Sequence, residues 1–226
     1  MTIIRGTNEF LDLFDRAQTL ETTPGHNGWT VKDTSAAGTP TYAVITENGG
    51  ALQLACEATS EAQIITAFHN DILCFDLADI KVMEIIAKVQ GIDAVTTLVM
   101  GLANAQNDTD DSVTNHAWFR MEGSASTANL LVETDDGTND NNDVATGDTL
   151  ANVYLQLLID FENGLSDVRF YADGARVADG TTFDMSNVTA GQNVQPYIQL
   201  QKASGTGVPS VEIAKCRISY NYNYGA

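Results

Sequence analysis

Few residues in this chain stand at spacings that could do chemistry. Asp160 and Glu162, in LIDFENG, are two apart and share one face of a strand. Paired carboxyl groups of that kind can cleave a glycosidic bond, one donating a proton while the other attacks or activates water. They sit against the turn signal Asn163-Gly164, where solvation of a strand end is the competing role. His26, His69 and His116 each lie near a turn, and no Ser or Cys stands in a Gly-x-Ser-x-Gly context, so an acyl-transfer triad has no support.

Two polar stretches offer hard oxygen ligands. DTDD carries Asp108, Asp110 and Asp111, and DDGTNDNND carries Asp135, Asp136, Asn139, Asp140 and Asp143, the side chains calcium takes. Neither stretch has the EF-hand order, and a solvated acidic loop is the competing reading. No cofactor other than calcium is expected. Cys56, Cys74 and Cys216 are odd in number, far apart and set in apolar runs, which predicts three reduced core thiols and no zinc site. Trp118, in NHAWFRM beside the acidic loops, is the candidate aromatic platform for a sugar, although the same run could pack its ring inward.

The elements that must position these residues are strands. Of 226 residues 43% are hydrophobic and 18% charged, enough for a core but poor in helix-favouring surface. In YLQLLIDFENGLSDVRFYADGARV, from Tyr154 to Val177, apolar residues alternate up to Asn163-Gly164, resume through Phe170 and Ala172, and stop at Asp173-Gly174. That is a β-hairpin followed by a second tight turn. Further runs at 42–46, 51–56, 62–68, 80–89, 95–103, 116–122, 130–134, 194–201 and 211–222 predict strands about ten to fifteen residues apart, the spacing of an antiparallel sandwich. The polar stretches 104–115 and 133–148 read as surface loops. Residues 1–40 are the least regular, with a helical turn or two expected in FLDLFDRAQ, and form an N-terminal arm packed on or extending from a sandwich of residues 41–226.

A long apolar strand, a short polar turn, a strand ending in Tyr171-Ala172-Asp173-Gly174 and a short strand at 175–178 resemble the concanavalin A-like lectin and glucanase domains, including laminin G-like domains. The resemblance implies an all-β, antiparallel two-sheet jelly roll, with the last strand returning near the first. It also implies calcium held between loops in some members. Glycanases of this fold use Glu-x-Asp-x-x-Glu, and the strand VMEIIAKV offers Glu84 alone.

The layout GWT, GGALQL and EAQIITAFHNDILCFDLADIKVMEIIAKV also resembles sandwich proteins of tailed-bacteriophage virions, which serve as capsid decoration or head-fibre components. This implies a non-enzymatic virion protein, made in the host cytoplasm and placed on the capsid surface. Its partners would be the major capsid protein and copies of itself. Attachment would use Phe10, Phe14 or the row Tyr220, Tyr222 and Tyr224. The alternative is a carbohydrate-binding, lectin-like module. A formal charge of −19, from 30 acidic and 11 basic residues, argues against nucleic acid and anionic membrane partners.

Overall fold

A computed structural model of the chain describes residues 4–15, 20–24, 26–47, 49–124, 127–189 and 191–224. Among the described residues sixteen strands run in chain order: β1 (Ile4–Asp12), β2 (Thr30–Asp33), β3 (Thr41–Ile45), β4 (Ala51–Ala55), β5 (Gln63–Phe68), β6 (Phe75–Asp76), β7 (Ile80–Gln90), β8 (Thr96–Ala103), β9 (His116–Ser124), β10 (Thr127–Asp135), β11 (Asp140–Thr149), β12 (Leu155–Asp160), β13 (Arg169–Ala172), β14 (Ala175–Val177), β15 (Asn193–Lys202) and β16 (Ser210–Tyr224). All their pairings are antiparallel, in two sheets of eight strands. The first is ordered β14-β13-β12-β7-β16-β4-β3, with β1 also on β16. The second is ordered β11-β10-β9-β8-β15-β5-β2, with β6 also on β15.

The sheets pack face to face because period-two alternation gives each one an apolar inner face. Met83, Ile85, Ala87 and Val89 of β7 and Leu157 and Ile159 of β12 meet Leu98, Met100 and Leu102 of β8 and Phe119 and Met121 of β9 in one buried cluster. The hairpin turns follow the sequence: Asp173 (φ 46°) and Gly174 (φ 78°) both take the left-handed conformation that a two-residue hairpin turn needs.

The arm differs from expectation. FLDLFDRAQ makes no helical turn among its described residues. Instead, β1 pairs along β16 from Ile4 opposite Tyr224 to Asp12 opposite Cys216, so the first and last of the described strands are neighbours. Edge pairing supplies the backbone bonds that the weak local propensity left open. Likewise 140–149 is no loop but the edge strand β11, joined to β10 with two register shifts. Its Asp, Asn, Thr and Gly residues disfavour a strand, and pairing on one side overrides them.

Candidate functional site

The outer faces of the two sheets differ in access. On the second sheet, Phe68, Val99, Ala103, Trp118 and Tyr197 form a second buried cluster, separate from the main core, together with Val113. The polar segment 104–115 lies across it. The carbonyl of Asn107 accepts hydrogen bonds from the Tyr197 hydroxyl (2.9 Å) and Gln199 Nε2 (2.7 Å), Asp108 pairs with Lys32 (3.1 Å), and the amide of Gln106 donates to Asp71 (2.8 Å). The segment expected to be a surface loop is therefore a roof.

Under that roof Trp118 has no exposed surface. Its ring stacks on His116 at 3.7 Å and Nε1 donates to Glu133 Oε2 at 2.5 Å. The expected sugar platform is thus corrected: the aromatic face is covered. Burial pushes the Glu133 carboxyl up to about 8, helped by the neighbouring Asp143 acid, and burial pushes His116 down to about 4. His116 is neutral at pH 7, so its 3.9 Å approach to Glu133 is no ion pair.

The calcium candidates find other partners, Asp143 on Arg120 and Asn139 on Asp136 among them. Asp110 and Asp111 contact Arg120 at 3.2 and 2.9 Å, and Asp108 holds Lys32. Asp135 accepts the amide of Gly137, and Asp136 accepts the amides of Thr138, Asn139 and Asn187. Asp140 accepts from Asn142 Nδ2. Among the described residues no group of three or more His, Cys, Asp or Glu is arranged to hold a metal. Of the thiols, Cys56 and Cys216 are buried as expected, but Cys74 is exposed, because the ILCF run is irregular after the turn at 70–71 and only its last residue, Phe75, enters the core.

The attachment candidates also separate. Phe14 is wholly buried in the main core. Phe10 and Tyr220 are half-buried, and both pack against Phe75, at 5.9 and 5.2 Å between ring centres. Tyr222 and Tyr224 lie on β16 opposite Gly6 and Ile4, and their side chains fall outside the described residues.

The outer face of the first sheet is open. Leu157 and Ile159 of β12 point into the core, so Gln156, Leu158 and Asp160 point out. Leu158 lies opposite Tyr171 of β13 and Glu84 of β7, and Asp160 lies opposite Val82. Val82, Gln156, Leu158, Asp160, Glu162, Tyr171 and Gly174 line a depression of about 250 Å³. Here the strand-end carboxylates Asp160 and Glu162 meet a tyrosine ring over an aliphatic floor. Sequence spacing identified the pair but not the ring, because Tyr171 is brought alongside only by the β12–β13 pairing.

The cations around this depression are already engaged. Arg169 and Arg176 both pair with Asp167. Lys215 and Arg217 pair with Glu84, which also accepts from Gln156 Nε2 (2.6 Å). Burial pushes the Glu84 carboxyl up, and these hydrogen bonds outweigh it and hold it below its ordinary range. Asp160 Oδ1 accepts the amide of Glu162 (2.8 Å), and neither carboxylate forms an ion pair among the described residues. What remains is a set of hydrogen-bond acceptors beside an aromatic ring, suited to hydroxyl-rich ligands.

No protein-family model matches the sequence, and no curated protein does. Solved structures are similar over most of the chain. A glycoside hydrolase family 16 endo-glucanase from Bacteroides ovatus aligns with a TM-score of 0.59 at 12% identity, covering 92% of this chain and 99% of its own. The carbohydrate recognition domain of Emp47p aligns at 0.53 and 13%, covering 92% and 95%. A carbohydrate esterase of the Shiga toxin-encoding bacteriophage phi24B aligns at 0.51 and 18%, covering 86% and 90%. The expectation of a non-enzyme is corrected, since a glycoside hydrolase stands among the similar structures. The chain has the concanavalin A-like jelly-roll fold that these glucanases and carbohydrate recognition domains share.

Proposed function

We propose that this protein engages glycans through the depression on the outer face of the first sheet. One observation carries the reading: Tyr171 stands beside two carboxylates, Asp160 and Glu162, that form no ion pair among the described residues, in an open hollow of about 250 Å³, with Arg169 opposite Asp160 held by Asp167. Sugar rings stack their C–H faces on aromatic rings, while their hydroxyls donate to carboxylate oxygens. The likeness to a glucanase and to a carbohydrate recognition domain supports the same reading.

A glycan array followed by calorimetry with the strongest hit tests it, with reducing-sugar release measured on the same oligosaccharide to separate binding from turnover. Loss of binding in Tyr171→Ala and Asp160→Asn is expected. An array with no hit, or binding that both variants retain, refutes the assignment.

A virion setting is a second reading, supported by the bacteriophage-encoded neighbour. In it the protein would sit on a capsid surface, against the capsid protein and copies of itself, and present the depression outward. Detection of the chain in purified virions tests it, and its absence from them would remove it.

A further inference from the structure

Five carboxylates converge on one guanidinium beneath the roof of the second sheet. Arg120 of β9 contacts Asp110 and Asp111 of the roof at 3.2 and 2.9 Å, Glu122 of its own strand at 3.2 Å, Glu133 of β10 at 3.6 Å and Asp143 of β11 at 3.4 Å. Arg120 is 8% exposed and Glu133 1% exposed. Asp111, Glu122 and Asp143 reach solvent, whereas Asp110 and Glu133 are buried and share the one guanidinium, so a proton on one of these two stabilises the cluster. Glu133 is the most enclosed of the five.

On its other side Glu133 meets the His116–Trp118 stack. His116 Nδ1 lies 2.8 Å from the carbonyl of Val113, so Nδ1 carries the proton. Nε2 is then a lone pair, 97% of the residue is buried, and no hydrogen bond reaches that nitrogen. Val113 belongs to the roof, so the imidazole joins roof and sheet as Arg120 does.

We propose that segment 104–115 is a strap that opens from the second sheet on ionisation of Glu133, uncovering the groove of Trp118, Tyr197 and Phe68. The direction of the pH response follows from the two buried groups. Closed, Glu133 keeps its proton up to about pH 8, against 4.5 when solvated, so the closed state is favoured below 4.5 and loses that advantage as pH rises to 8. His116 acts oppositely: closed, it stays neutral down to about 4, against 6.5 when solvated, so the closed state loses stability as pH falls from 6.5 to 4. Between 4.5 and 6.5 the two cancel, and between 6.5 and 8 Glu133 acts alone. Asp110, also held up by burial, acts in the same sense as Glu133. Asp111, Glu122, Asp140 and Asp143 are the other charged groups facing the cluster, besides Arg120.

Acrylamide quenching of tryptophan fluorescence measures the opening, with Trp118→Phe identifying the signal of Trp118 against that of buried Trp29. The quenchable fraction of Trp118 is expected to climb by up to about tenfold per pH unit between 6.5 and 8, one proton being exchanged. Glu133→Gln, which keeps the amide shape of the protonated acid, is expected to flatten that rise while far-ultraviolet circular dichroism stays unchanged. Asp143→Asn is expected to end the rise at a lower pH and make it smaller, because it removes the neighbour that helps hold the proton on Glu133 in the closed state. A wild-type signal flat from 6.5 to 8, or the same rise in Glu133→Gln, overturns the proposal.

Discussion

Lys202 provides a sharp test of how the loops at one end of the sandwich are held. It occupies a core-facing position of β15, two residues after Leu200, and none of its surface is exposed. Its ammonium donates to the carbonyl of Glu57, to that of Thr59 at 2.9 Å and to that of Gly207 at 3.2 Å. One charge therefore joins two loops. Lys202→Met keeps the length of the side chain and removes its donors. Each orphaned buried carbonyl costs about 1–3 kcal/mol, hence about 3–9 kcal/mol for the set. Relief of the desolvation of a buried ammonium returns several kcal/mol. The net loss expected is about 2–4 kcal/mol, a large part of the 5–15 kcal/mol of a typical domain. Urea unfolding should show a lower midpoint with an unchanged slope, and the melting temperature should fall by about 4–16 °C. A Met variant within about 0.5 kcal/mol of the wild type would refute the latch.

Other substitutions probe separate parts of the sandwich. Arg120→Met leaves buried acids without their cation and should cost about 3–5 kcal/mol, seen as a lower melting temperature at pH 7. Gly101→Ala places a Cβ 2.3 Å from the carbonyl oxygen of Ala117 on the neighbouring strand, so soluble expression or melting temperature should drop. Glu84, held below its ordinary range, contributes stability above about pH 4.5 that is lost as pH falls through its folded value, and Glu84→Gln should lessen this acid loss in pH-dependent unfolding. Of the three thiols only exposed Cys74 should react with a disulfide reagent in the native protein. Cys56 is pushed up to about 11 and Cys216 further still, both by burial, so reaction of three thiols without denaturant would contradict the packing.

Much of the architecture was legible because it rests on period-two patterning. The hairpin at 154–177, the strand at 80–89 and the Asp173-Gly174 turn follow from alternation and from residues that tolerate positive φ. The edge strands β1 and β11 were not legible, since an edge strand needs pairing on only one side and can carry Asn, Asp and Gly. The spacing of Asp160 and Glu162 was visible, yet Tyr171 became their neighbour only through the register that sets it opposite Leu158. Trp118 illustrates the reverse case. Its strand position was plain, but its burial depends on a polar segment whose composition suggests a free loop and whose backbone and acids instead bond Tyr197, Gln199, Lys32 and Arg120. Lys202 left no sequence signal, because its partners are backbone carbonyls, those of one loop lying 143 residues away at Thr59.

The most direct measurement is calorimetric titration of an array-selected neutral oligosaccharide into the wild type and into Tyr171→Ala. A binding wild type and a variant weakened by about 5–30-fold, the loss of about 1–2 kcal/mol of aromatic contact, is the result expected. Equal affinity in the two proteins would place the sugar elsewhere and remove the depression as the site.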